Sequence, residues 1–111
     1  MVYSEDLADR VRATLGPRTP FDERKMFGGL AFLVGMRMAV AVAGNDLMVR
    51  VGTDGLAAAL DRGAGPMAMG GRTMSGWVLV DGAQVADPDD LDAWLTTGVE
   101  VARAEPPRSP R

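Results

Sequence analysis

The chain has 111 residues, 47% of them apolar and 24% charged, with a formal net charge of −3. That is the length of one domain with an ordinary core, and the charge gives no electrostatic case for binding nucleic acid. Having neither cysteine nor histidine, it has no disulfide framework, thiol nucleophile or imidazole metal site, and no Ser-His-Asp or Cys-His catalysis.

Ser4 is placed to cap a first helix, with Glu5 and Asp6 favourable in its first turn. Leu7, Val11 and Leu15 recur every four residues as one apolar stripe, and Gly16-Pro17 ends it. Residues 17–23 read as a connecting loop. A first strand is expected over 24–34, with Gly28-Gly29 inside it as a bulge or a close approach of another backbone. Gly35-Met36-Arg37 turns the chain into a second strand, 38–43, and Gly44-Asn45-Asp46 into a third, 47–51. In the third, Leu47, Val49 and Val51 point one way and Met48 and Arg50 the other. The second has Met38, Val40 and Val42 on one face and alanines on the other. A face of alanines invites close cover, for which a helix is expected.

Thr53 or Asp54 is expected to cap a short helix over 54–62, with Leu56, Ala59 and Leu60 on its inner face. Gly63-Ala64-Gly65-Pro66 breaks it. Two short strands follow, about 67–69 and 76–80, around a glycine-rich turn. Asp87 reads as an N-cap with Pro88 at the first helical position. Leu91, Trp94, Leu95, Val99 and Ala102 make the buried stripe of a last helix. The polar, proline-rich residues 105–111 read as a frayed tail after a domain spanning 1–104. The order is α-βββ-α-ββ-α, an α+β domain with a largely antiparallel sheet and helices on a face. No N-terminal segment has the order of a signal peptide, and no apolar run approaches a membrane span, so a cytoplasmic location is expected.

Several groups carry a functional and a structural reading side by side. Arg24-Lys25 beside Gly28-Gly29 offers two cations and backbone N–H groups to an anion, or is the start of a bulged strand. Gly70-Gly71-Arg72 leading to Gly76-Trp77 presents Arg72 and Trp77 to a partner, or turns the chain so that Trp77 packs inward with Leu79. If Lys25, Arg50 and Arg72 line one mouth of the sheet, they suit a carboxylate or phosphate. The eight methionines serve as an adaptable groove or as core filler. Asp87, Asp89, Asp90 and Asp92 lack the glycine and terminal glutamate of a calcium loop. Helix capping accounts for three of them, so no metal or cofactor is expected.

Lys25-Met26-Phe27-Gly28-Gly29-Leu30-Ala31-Phe32 resembles the signature of the TfoX/Sxy N-terminal domain. Asp46-Leu47-Met48-Val49-Arg50-Val51 is similar to that domain's third strand, and Gly71-Arg72-Thr73-Met74-Ser75-Gly76-Trp77-Val78 to a later segment. The resemblance covers about residues 3–103. It implies a fold like that of secretion chaperones and a regulatory role without enzymatic activity. The best-known relatives regulate natural competence together with the cyclic-AMP receptor protein, and often carry a second, C-terminal helical domain that has no counterpart in these residues. The expectation is therefore a stand-alone cytoplasmic module that binds a protein partner and forms a homodimer through a sheet edge or strand face. The alternative is a small-anion-binding domain using Lys25, Arg50 and Arg72.

Overall fold

Ser4 starts the fold as its side chain dictates. Its Oγ accepts the Leu7 N–H at 3.1 Å, opening α1 (Glu5–Leu15), and the Gly16 N–H closes it on Arg12 O. A computed structural model describes residues 3–26, 28–69 and 72–104, without the side chains of 26, 68, 69 and 72–75. The expected tail, 105–111, and the glycine pair 70–71 lie outside the described residues.

Six strands follow: β1 (Asp22–Met26), β2 (Gly29–Val34), β3 (Arg37–Ala43), β4 (Asp46–Arg50), β5 (Gly65–Met69) and β6 (Arg72–Val80). They form one antiparallel sheet in the order β1-β2-β3-β4-β6-β5. Helix α2 (Gly52–Asp61) joins β4 to β5, and a 3₁₀ turn (Gly82–Val85) leads to α3 (Pro88–Ala104). The order is thus α-ββββ-α-ββ-α, one strand more than expected. The segment read as a single strand over 24–34 is a hairpin, with Met26 opposite Gly29 and Asp22 opposite Leu33. The reversal falls between Met26 and Gly29. Gly28 takes φ 74°, open to glycine at no steric penalty, while a Cβ on Gly29 would collide with Val42 O. The close backbone approach anticipated at this pair is therefore present, at the end of a hairpin and not inside a strand.

The β2–β3 turn uses φ 60° at Gly35 and 68° at Met36, the pair of positive values that a two-residue I′ turn requires. Further along, Phe32 pairs with Val40 but Leu33 with Met38, leaving Ala39 as an extra residue in β3. That bulge moves Met38 to the face of Ala41 and Ala43, away from Val40 and Val42. The expected grouping of Met38 with the two valines is corrected by this one-residue shift, because strand faces alternate with a period of two.

The larger core lies on the helix side. Leu7, Ala8, Val11 and Leu15 of α1 and Leu91, Leu95 and Ala102 of α3 meet Phe32, Val40, Val42, Leu47, Val49, Val78 and Val80. Gly98 lets α3 approach the bulge: a Cβ there would stand 2.6 Å from Ala39 O and 2.8 Å from Val40 Cγ1. The opposite face holds a smaller cluster of Ala31, Leu33, Ala41, Met48 and Trp77, edged by Met38, Ala43, Met67 and Leu79. Among the described residues no helix contributes to it, so the expected helical cover over the alanines is not found. Ala31 and Ala41 are nonetheless buried within the single chain.

Two expectations for α2 are also corrected. The helix begins at Gly52 with Val51 as N-cap and no side-chain capping bond, so Thr53 and Asp54 sit inside the first turn. Ala59 is buried and Leu56 half-buried, but Leu60 is 39% exposed. In α3 the cap is as expected, Asp87 Oδ1 accepting the Asp89 N–H at 2.8 Å, and all five residues of the stripe are buried. Among the described residues no helix is long and apolar enough to cross a membrane.

Candidate functional site

The fold brings two of the sequence-selected residues together. Arg50 ends β4 directly opposite Trp77 of β6, and its guanidinium carbon lies 5.3 Å from the indole centroid, within cation–π range. Trp77 is 9% exposed and belongs to the smaller cluster, with Leu79 packed against the same group. Lys25 is elsewhere. Its register partner is Leu30, on the helix-bearing face, and β2 and β3 separate β1 from β4. Lys25 and Arg50 thus occupy opposite faces of the sheet and do not line one mouth. Arg72 pairs with Met69 through its backbone, and its side chain lies outside the described residues. Gly28 and Gly29 form the end of the first hairpin.

A second arginine–tryptophan pair is absent from the sequence reading. Arg62 closes α2, its N–H shared among the carbonyls of Ala58, Ala59 and Leu60. Its guanidinium stacks 3.7 Å from the Trp94 ring centroid, and Nη1 donates to Thr97 Oγ1 at 3.3 Å. These residues border a cleft of about 390 Å³ lined by Arg62, Gln84, Asp90 and Trp94. Gln84 is fixed at both ends of its amide: Nε2 donates to Gly63 O at 2.9 Å and Oε1 accepts the Asp81 N–H at 3.2 Å. The cleft therefore presents a cation and a carboxylate on its rim, with the Trp94 indole, 5% exposed, beneath the cation. Apolar periodicity marks Trp94 as buried, but nothing local in the sequence signals that Arg62, on another helix, stacks on it.

Several of the remaining charges are engaged within the chain. Arg12 donates to Glu23 at 2.6 and 2.9 Å and to Asp9 at 2.6 Å. The bond to Glu23, followed by that carboxylate's charge and by Asp9, holds the Arg12 guanidinium well above its usual range despite some loss of solvation. Arg10 donates to Val85 O and Ala86 O, and Arg18 to Thr96 and Asp92. A cleft of about 250 Å³ near the start of α1 contains Asp6, Asp46 and Asp81. Two of its carboxylates already accept backbone N–H groups, Asp46 from Gly82 and Asp81 from Ala83. Among the described residues no three acidic groups converge as metal ligands would.

No curated protein matches the chain. The family model of the TfoX N-terminal domain matches residues 13–102, from the second half of α1 to near the end of α3. The whole sheet and the segments 25–32, 46–51 and 71–78 fall inside that match, and the chain belongs to the TfoX N-terminal domain family.

Proposed function

We propose that this chain is a non-enzymatic regulatory module of the TfoX/Sxy kind, working by binding another protein through the Arg62–Trp94 cleft. The stack of Arg62 on Trp94 at 3.7 Å is the observation that carries the reading. Arginine and tryptophan are the residue types that most often dominate interface energetics. Here the exposed guanidinium can take up a partner's carboxylate, while the Trp94 indole beneath it, 5% exposed, holds it in place. Asp90, one helical turn before Trp94, offers a counter-charge to a basic neighbour on the same partner. The Arg50–Trp77 pair differs in its cation, because Arg50 is half-buried where Arg62 is exposed, and its role is to close the apolar cluster on the sheet. Family membership supports a regulatory role, and a chain without histidine or cysteine is poorly equipped for most acid–base and nucleophilic chemistry.

Affinity capture from native lysate with wild type, Arg62→Ala and Arg50→Ala tests the proposal. A partner retained by wild type and Arg50→Ala but lost with Arg62→Ala is the expected result. Loss with Arg50→Ala alone, or an enzymatic turnover that depends on Arg62 or Asp90, would overturn it.

A further inference from the structure

The two edges of the sheet are unequally protected against pairing with another strand. At one edge, β5 carries Pro66, which has no N–H to offer, and a register shift between Pro66 and Ala68. Proline and bulges are two of the devices that blunt an edge. At the other edge, β1 has neither. Its five residues pair with β2 without a shift, and among the described residues its outer side has no partner strand.

The charges on β1 are ordered. Asp22, Glu23, Arg24 and Lys25 are all exposed, and they sum to zero. Glu23 stands opposite Phe32 on the helix-bearing face, where Arg12 of α1 clamps its carboxylate. Asp22 and Arg24 stand opposite Leu33 and Ala31, on the other face, and neither makes an ion pair or side-chain hydrogen bond among the described residues. Edge protection by charge usually relies on one sign, so that a second copy is repelled. Here both signs lie on the free face of the strand.

Symmetry then selects a register. A two-fold axis perpendicular to the sheet makes β1 pair antiparallel with its own copy and keeps the helix layers on one side, so only residues from matching faces meet. With the axis at Glu23, Asp22 lies opposite the partner's Arg24, and Arg24 opposite the partner's Asp22. The Glu23 pair at the axis is tolerated, since Arg12 neutralises each carboxylate within its own chain. An axis at Arg24 would instead set two unpaired arginines against each other. We infer that the chain forms an isologous dimer by antiparallel pairing of β1 with β1 of a second copy, centred on Glu23. This interface is separate from the Arg62–Trp94 cleft. It consumes the unprotected edge, leaving the blunted β5 edges at the ends of a sheet twice as wide.

Sedimentation analysis over a range of protein concentrations tests the inference, using wild type, Asp22→Arg, Arg24→Asp, the double exchange Asp22→Arg/Arg24→Asp, and Lys25→Glu. The expected result is a reversible dimer in wild type, weakened about tenfold by either single reversal, which sets like charges opposite each other twice, and restored by the double exchange. The exchanged residues are exposed and make no internal ion pair, so circular dichroism should show every variant folded. A wild type that stays monomeric at the highest concentration would overturn the inference. So would a double exchange no better than the single ones, or a Lys25→Glu variant as weak as Arg24→Asp, which would move the register.

Discussion

The two faces of the sheet bury their residues by different means. On the helix side the strands offer Phe32, Val40, Val42, Leu47, Val49, Val78 and Val80, all fully buried under the helices. These are branched or aromatic side chains with few rotamers, suited to receiving the fixed ridges of helices. The opposite face uses Ala31, Ala41, Leu33, Met48 and Trp77, two of them too small to fill space and one flexible enough to follow its neighbours. Burial is nearly as complete on both sides, so burial alone does not reveal what covers a strand. The side-chain volumes and stiffness of the two faces separate them.

Substitutions can break that contrast. Phe32→Ala should have the largest effect, destabilising by about 4 kcal/mol. It empties the centre of the helix-side core and removes the ring that meets Phe21 at a centroid distance of 5.7 Å. Urea unfolding monitored by circular dichroism would measure it. Gly98→Ala attacks the same face from the helix. The added methyl meets Ala39 O at 2.6 Å, so α3 must shift, at about 2–3 kcal/mol by the usual scale of overpacking. On the other face Met48→Ala should cost about 2 kcal/mol, the low end for such a truncation, because small and flexible neighbours can close in. A loss for Met48→Ala equal to that for Phe32→Ala would erase the distinction between the faces. Met36→Gly should change least and in the opposite direction, stabilising by about 0.5 kcal/mol. It relieves a left-handed conformation at a side chain that is 71% exposed and buries little; a small rise in melting temperature would show it.

Much of the scaffold was legible in the sequence because its signals are local. The Ser4 cap, the Leu7–Val11–Leu15 stripe, the Asp87-Pro88 start and the five-residue stripe of α3 each depend on residues within a few positions. The misreadings came where a single residue decides between alternatives. Gly28-Gly29 is compatible with a bulge or a reversal, and only the pairing of β1 with β2 shows that the chain reverses there. Ala39 adds one residue to β3 and so changes the face of Met38, while no residue type announces such a bulge. The site was less legible still. Arg62 and Trp94 lie on different helices whose approach depends on the whole packing arrangement, and the separation of Lys25 from Arg50 follows from a face assignment that the extra strand had to establish first.

The chain's two tryptophans are divided between the clusters, Trp94 in the helix-side core and Trp77 in the opposite one. The first four strands are joined by short reversals, whose loop-closure entropy is small, whereas α3 reaches β3 across more than half the chain. Fluorescence of Trp77 and Trp94 thus reports separately on two stages of assembly. In refolding followed with single-tryptophan variants, any lag between the signals would time the arrival of the helix layer on a sheet already formed.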